Sequence, residues 1–485
     1  MARELLKLTN WIRRLFHAFL LTLLMWAVLV VSPFGFGEHL DKYVQDLINT
    51  QAGHWIYPDT RQDEVVVLLL TDEIVDAVLR GQWPAPYSFH ASILDDLLVH
   101  QPRALFIDFY WMNQLKPGAG ELVHVLKNYR AAGIEVYLSA PSQEWLNNFW
   151  PELAGLVIPV SPQIVMDPMD FVARAYTQGN NELPSAAFAI VNNLNHGLEN
   201  TESRGDMDIF WGTKNNIRNQ AWMTSDTAQD DCFLDSLLRG FTQVETPVPY
   251  STTVFVRDLI NPVGRTEDEA LAELDDHLKD RVVVYGASLT GIQDVVFTPT
   301  REILPGAYYH AMALDNLLTW GEQFKAATPR WPDGMEGLSL PWLQFFLLLP
   351  IACFVCFRKT NNEDSQHEDN DYLCYPTFFG RLCGFAVSRV RQSYPTLRFW
   401  LAILFYVTLV CWIQFSLLDL SVATWAGFIE IFGAGIVLER LSLVERITSF
   451  PKRLYRFYQP QEGVRSAENN HISDAFTDNA GRTGE

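Results

Sequence analysis

Short apolar runs alternate with stretches of helical periodicity between residues 64 and 320. The mostly apolar runs lie at 65–70, 104–107, 134–138, 156–160 and 281–285, and a later run at 252–256 extends the series. Strands that are apolar at every position are typical of a sheet buried on both faces. Between the first two strands, residues 88–100 place apolar side chains on one face of a helix. This alternation predicts an open, mostly parallel α/β sheet.

Four longer apolar stretches lie outside this alternation. They occupy residues 15–33, 338–357, 399–418 and 421–438, and their length is that of membrane-spanning helices. The expected fold class is therefore an extracytoplasmic α/β domain with an open, mostly parallel sheet, plus four α-helical transmembrane segments. The first stretch is expected to be an uncleaved signal anchor, and the domain itself is expected to occupy residues 34–337.

The charges beside these stretches predict an orientation. Residues 1–14 carry 4 basic against 1 acidic residue, whereas residues 34–340 carry 19 basic against 42 acidic ones. Basic residues also flank the stretches at 358–398 and 439–485. Because segments rich in Lys and Arg stay in the cytoplasm, both termini and the 358–398 loop are expected there, with the acidic domain outside.

Composition removes several classes of function. A net charge of −21 argues against a nucleic-acid partner, since phosphate binding requires clustered basic residues. The chain has no glycine-rich phosphate loop, no nucleophile elbow and no His-rich metal motif, so we predict no enzymatic activity, no cofactor and no metal. Cys353 and Cys356 have C-x-x-C spacing, but they lie in an apolar stretch, where packing is favoured over zinc binding.

Four polar residues are candidates for a ligand site. Asp72 and Asp108 each follow an apolar strand directly, Asp294 follows the strand at 281–285, and His310 lies early in a helix predicted over 308–318. Ligands of open α/β sheets bind outside the carboxyl ends of the strands. The alternative is structural: aspartates after strands commonly cap helices or tie down turns, and a buried histidine commonly serves packing.

The membrane and tail segments supply further candidates. Glu430 lies in the middle of the 421–438 stretch, where an unpaired carboxylate is costly, so it is a candidate for transmembrane coupling. The 358–398 loop and the 439–485 tail are candidate contacts for a cytoplasmic partner. The tail is polar from about residue 463 and is predicted to be disordered there.

The chain also carries a family resemblance. Trp83-Pro84-Ala85-Pro86, followed by Ala104 to Phe109, resembles the first half of a CHASE2 domain, and Val282 to Ala287 with Pro305 to Leu318 resembles its last part. The stretch from 167 to 219 departs from the family pattern. The resemblance implies a bacterial extracytoplasmic sensor, with one membrane helix before the domain and three after it.

These observations lead to two hypotheses. The first is a sensor of the bacterial inner membrane whose outer domain detects a periplasmic ligand or envelope protein and signals through the bilayer to a separate partner. No kinase or cyclase signature occurs in residues 439–485, so no catalytic output is expected from the chain itself. The second hypothesis is a structural or docking subunit of an envelope assembly. Homo-oligomerisation is left open by the sequence.

Overall fold

The computed structural model describes most of the predicted domain and little of the flanking segments. Described are residues 12, 15–16, 18–20, 22–23, 26, 36–111, 117–194, 198, 204–214, 216–220, 249–260, 267–291, 294–300, 302–326, 345–346, 349 and 405–421. The chain divides into two compact units. One comprises residues 1–32, 341–392 and 429–485, and the other comprises residues 33–340 and 393–428.

In the first unit the described residues are helical and packed through aromatic side chains. Phe345 makes edge-to-face contacts with Phe19 and Trp26, at ring centroid distances of 6.0 and 6.1 Å. Such geometry is the favoured one for aromatic pairs.

The second unit contains the α/β domain. Its strands are β1 (Val65–Thr71), β2 (Ala104–Ile107), β3 (Glu135–Ser139), β4 (Ile158–Val160), β5 (Ala175–Tyr176), β6 (Met207–Asp208), β7 (Thr252–Phe255), β8 (Val282–Ser288), β9 (Val295–Phe297) and β10 (Ile303–Pro305). Its helices are α1 (Phe36–Ile56), α2 (Asp72–Leu79), α3 (Tyr87–Val99), α4 (Ala119–Ala131), α5 (Gln143–Phe149), α6 (Pro151–Ala154), α7 (Ala186–Asn193), α8 (Ile217–Gln220), α9 (Val256–Ile260), α10 (Glu267–Leu278) and α11 (Gly306–Trp320). A further helix covers residues 405–416.

The main sheet has six strands in the order β4-β3-β2-β8-β1-β7, all parallel. The α/β class and the mostly parallel sheet predicted from the apolar runs are therefore confirmed. Two smaller sheets pair β5 with β6 and β9 with β10, both antiparallel.

Two apolar cores lie against the two faces of this sheet. Successive residues of β1 alternate between them: Val65 and Val67 join the core that contains α7 and α11, and Val66 and Leu68 join the core that contains α3 and α4. Side chains of a strand point to opposite faces in turn, so a sheet covered on both sides requires apolar residues at every position.

The start of α11 packs unusually close to β8. A Cβ atom added to Gly286 would lie 2.6 Å from the Cβ of Ala307, closer than real carbon atoms approach. Glycine at this strand position therefore allows the helix to rest on the carboxyl end of the sheet.

The prediction of four transmembrane helices in a multi-pass inner-membrane protein is wrong. No helix among the described residues combines the length and the apolar character needed to cross a membrane. The predicted stretch 15–33 is described only at scattered positions, 338–357 at three residues and 421–438 only at Ser421. Glu430, the 358–398 loop and the 439–485 tail, with its predicted disorder, lie outside the described residues.

Part of the predicted stretch 399–418 lies in the same compact unit as the α/β domain. In its described part, residues 405–416 form a helix. Val410 and Gln414 of this helix are buried at 1% and 0% exposure. The helix belongs to the same compact unit as the α/β domain and packs against it.

Because α11 and β8 approach closely, we predict that one methyl group added at Gly286 strongly lowers the stability of the domain. We expect Gly286→Ala to lower the free energy of unfolding by about 1–3 kcal/mol, because the added carbon overpacks the contact with Ala307. Gly120→Ala in α4 is the matched control: it meets open space, and alanine favours helix, so stability is expected to stay equal or rise. Chemical denaturation measures both, and equal effects would contradict the packing described.

Candidate functional site

We call the carboxyl end of the sheet between β2 and β8 the crevice. These strands are neighbours, but the helices that follow them lie on opposite faces: α4 joins one core and α11 the other. Such a reversal is the position at which open α/β sheets bind ligands, because the two loops diverge there and leave a gap.

Asp108 follows β2 directly and lies at this gap. Its backbone N–H donates to the Tyr285 carbonyl at 2.9 Å, which continues the pairing of β2 with β8. The hydroxyl of Ser139, the last residue of β3, donates to Oδ1 of Asp108 at 3.2 Å. The side chain of Asp108 is 10% exposed, so the carboxyl group is nearly enclosed.

His310 approaches the same carboxyl group from helix α11. Its ring is 2% exposed, and Nδ1 lies 2.9 Å from the Tyr176 hydroxyl. That hydroxyl also accepts a hydrogen bond from the Ala187 backbone N–H at 3.2 Å, which leaves its own proton available for donation to Nδ1. When the hydroxyl donates to Nδ1, the neutral imidazole carries its own proton on Nε2.

The Nε2 atom of His310 has no hydrogen-bond partner among the described residues. The nearest carboxylate oxygen, Oδ2 of Asp108, lies 4.0 Å away, which is too far for a hydrogen bond. A buried donor without an acceptor costs free energy, so such a group is a candidate for ligand recognition.

Asp294 adds a second carboxyl group from the loop between β8 and β9. Its backbone carbonyl accepts a hydrogen bond from the N–H of Gly306 at 3.1 Å, at the start of α11. A side chain at position 306 would collide with Oδ1 of Asp294, so glycine there makes room for the carboxyl group.

The three titratable groups influence one another. Burial raises the pKa of Asp108 to about 6. Burial, helped by the charge of Asp108, raises the pKa of Asp294 to about 6 as well. Burial lowers the pKa of His310 to about 4, against the opposing effect of the Asp294 charge. Near neutral pH the site therefore holds two carboxylates facing an uncharged imidazole.

The fourth predicted residue has a different role. Asp72 accepts hydrogen bonds from the backbone N–H and the hydroxyl of Thr290, at 2.9 and 2.7 Å. These bonds lower the pKa of Asp72 and tie the loop after β8 to the start of α2. Thus Asp108, Asp294 and His310 come together, whereas Asp72 serves as a turn anchor, the structural alternative considered for it.

Sequence reasoning missed two members of the site. Ser139 directly follows the predicted strand 134–138, and its position could have been inferred from the same rule that selected Asp108. Tyr176 lies in the two-residue strand β5, where no periodicity indicates burial. In the part of the chain that the structure describes, no group of three or more His, Cys, Asp or Glu residues is arranged to hold a metal ion.

A separate open pocket of about 1170 Å³ lies between residues 178–184 and α7. Asp108, Asp294 and His310 are not among its lining residues. Its amides are partly used within the loop itself: Oδ1 of Asn180 accepts hydrogen bonds from the backbone of Glu182 and Leu183. The crevice between β2 and β8 is therefore the stronger candidate.

Sheet order, helix placement and the polar groups at the switch point define an open α/β domain with a candidate ligand site. Comparison with protein-family models matches residues 20–352, more than half of the chain, to the CHASE2 domain. The chain belongs to the CHASE2 family, and CHASE2 is a sensory domain of the extracellular type. No curated protein and no solved structure matched the chain.

Because folding raises the pKa of Asp108, we predict that replacing this acid with a neutral residue increases stability, and that the increase depends on pH. A carboxyl group whose pKa is raised from 3.8 to about 6 by folding destabilises the protein increasingly as pH rises through that interval. We expect Asp108→Asn to stabilise the chain more at pH 8 than at pH 4, by up to about 3 kcal/mol at roughly 1.4 kcal/mol per pKa unit.

Chemical denaturation across this pH range measures the difference. Asp72→Asn is the control with the opposite sign, because folding lowers the pKa of Asp72 and its ionised form is the favoured one. An Asp108→Asn profile parallel to that of the unsubstituted chain would show that Asp108 is not the enclosed carboxyl group described above.

Proposed function

We propose that this chain is a sensor whose stimulus is a small hydroxylated molecule bound in the crevice between β2 and β8. The observation that carries the proposal is the pairing of an unpartnered donor with a nearby acceptor: Nε2 of His310 lies 4.0 Å from Oδ2 of Asp108. Membership of a sensory family supports a sensing role, and the geometry supports the class of ligand.

The hydroxyl group fits because it can donate and accept at once. One oxygen atom between His310 and Asp108 could lie within hydrogen-bond distance of both, accepting from Nε2–H and donating to the carboxylate. An ammonium group would satisfy Asp108 but would leave the imidazole N–H facing a second donor. A carboxylate would accept from Nε2–H but would be repelled by Asp108 and Asp294.

Further hydroxyl groups would find partners nearby. Asp294 supplies a second acceptor, and the Ser139 hydroxyl can donate to a ligand or to Asp108. Several hydroxyl groups on one compact ring would use these groups together, so neutral monosaccharides and inositols are the molecules of choice for a first test.

Thermal unfolding of the full chain with a panel of neutral monosaccharides, inositols and their deoxy analogues tests this proposal. We expect at least one compound to raise the midpoint, because a ligand that binds only the folded state stabilises it. His310→Gln and Asp108→Asn are each expected to weaken binding about tenfold or more, since each removes one partner of an enclosed hydroxyl.

Asp72→Asn, which alters an acid outside the crevice, should leave the response unchanged. The proposal fails when no compound in the panel shifts the midpoint, or when the shift is equal in all three variants.

We further propose that the response passes to a separate protein. We propose residues 358–398 and 439–485 as the segments that contact this protein. The alternative is a docking subunit, whose binding partner would be retained whatever the state of the crevice. Crosslinking and recovery of the full chain beside His310→Gln distinguishes the two: a sensor's partner changes in amount with the substitution, and a docking partner does not.

A further inference from the structure

A narrow backbone ribbon connects the crevice to residues 405–421. We define the ribbon as four adjacent segments: β5, β6, residues 325–326 and residues 419–421. Tyr176 of β5 pairs with Met207 of β6, Met207 bridges to Ala326, and Ala326 bridges to Leu420. All four of these residues are fully buried. The ribbon is therefore a continuous internal structure.

Backbone hydrogen bonds join the segments in sequence. The N–H of Asp208 donates to the Lys325 carbonyl at 2.8 Å. The N–H of Ala326 donates to the Asp419 carbonyl at 3.3 Å, and the N–H of Ser421 donates to the Ala326 carbonyl at 2.9 Å. A shift of one segment along its neighbour would break these bonds, so the segments must move together or separate.

One end of the ribbon lies at the crevice. The hydroxyl of Tyr176 is the hydrogen-bond partner of His310 Nδ1, and Nε2 of the same ring faces Asp108. A ligand that accepts from Nε2–H alters the ring on one side, and Tyr176 contacts it on the other.

The other end is held by an ion pair, which we call the latch. Nζ of Lys325 lies 3.1 Å from Oδ1 of Asp419, and both side chains are 6% exposed. The same ammonium group donates to the carbonyl of Phe415 at 2.7 Å, near the end of the 405–416 helix, and lies 4.2 Å from the centre of the Phe415 ring. A cation at the C-terminal end of a helix is favourable.

Arg204 reinforces the latch. Its guanidinium group donates to the backbone carbonyl of Asp419 at 3.0 Å and to that of Glu322 at 2.7 Å. Asp419 itself has a φ of +48°, in the left-handed region that residues with a side chain seldom adopt. Enclosed charges in a strained turn persist only while their partners stay in place, so the latch is suited to two discrete states.

We infer that the ribbon is the output path of the domain. A ligand at His310 changes the hydrogen bond between His310 and Tyr176, and the ribbon transmits this change to the latch. The latch then holds the turn at 418–421 either more tightly or less tightly than before. The two states differ in whether this turn is seated against residues 325–326. This inference rests on the proposed function for its stimulus, and it deepens that function by assigning the segment that responds.

Amide hydrogen exchange on the full chain tests the inference without a ligand. We expect Tyr176→Phe, which removes only the hydroxyl group, to accelerate exchange at residues 418–421 about fivefold or more, the lower end of typical coupling between sites. Exchange in β1, at the other side of the domain, should not change. In Asp419→Asn the turn should already exchange fast, and adding Tyr176→Phe should then have little further effect.

Tyr137→Phe is the matched control. Tyr137 is as deeply buried as Tyr176, and its hydroxyl donates to Glu135 at 2.6 Å, outside the ribbon. The inference is overturned when Tyr176→Phe leaves residues 418–421 unchanged, when it accelerates β1 and the turn equally, or when Tyr137→Phe acts on the turn as strongly.

If the Tyr176→Phe variant does not fold, a second measurement tests the same inference. Cys411 is a buried thiol on the 405–416 helix, so its alkylation rate, followed by peptide mapping, reports how firmly this helix is seated. His310→Gln should raise that rate and Asp72→Asn should not; equal rates in both overturn the inference. Because neither experiment uses a ligand, failure of sugar binding and failure of coupling remain distinguishable.

Discussion

The burial of helix α11 is the constraint on which the rest of the domain depends. Every residue from 306 to 318 is buried, and the helix rests on β8 through the contact of Ala307 with Gly286. A helix enclosed on all sides cannot shift without opening the apolar core around it. The position of His310 relative to Asp108 is therefore set by packing, and a ligand meets a site that is already formed.

Polar residues determine the rotation of this helix. Near its C-terminal end the Tyr57 hydroxyl donates to the enclosed Asp315, and Nδ2 of Asn316 donates to Tyr57 and to the Phe210 carbonyl. Burial raises the pKa of Asp315 to about 7. Turning the helix would leave these groups without partners, which costs more than a change of apolar contacts. The same helix thus carries the crevice histidine at one end and this network at the other.

The fold was predictable to the extent that its strands are buried on both faces. The mostly apolar runs that form β1, β2 and β8 indicated the parallel sheet, and the rule of strand ends selected Asp72, Asp108 and Asp294 as candidates. The rule did not distinguish Asp72 from the acids of the crevice, because its hydrogen bond with Thr290 depends on a loop conformation that no periodicity encodes.

Hydropathy failed where it was used to predict the environment of a helix. The run from 399 to 418 is apolar and uncharged, but Phe415 of its described helix packs against Phe210 and Trp320 of the α/β domain. An apolar surface indicates burial and does not say against what. Likewise the ribbon was not predictable, because Ala326 and Leu420 meet through single backbone bridges between distant parts of the chain.

The protonation of His310 decides whether Nε2 can donate a hydrogen bond to a ligand. Nitrogen NMR of the full chain labelled in histidine reports which ring nitrogen carries the proton and whether the ring is charged. We expect a neutral His310 at pH 6 with its proton on Nε2, facing Asp108. A charged ring, or a proton on Nδ1, would contradict it, because the enclosed donor that selects a hydroxyl group would then not exist as described.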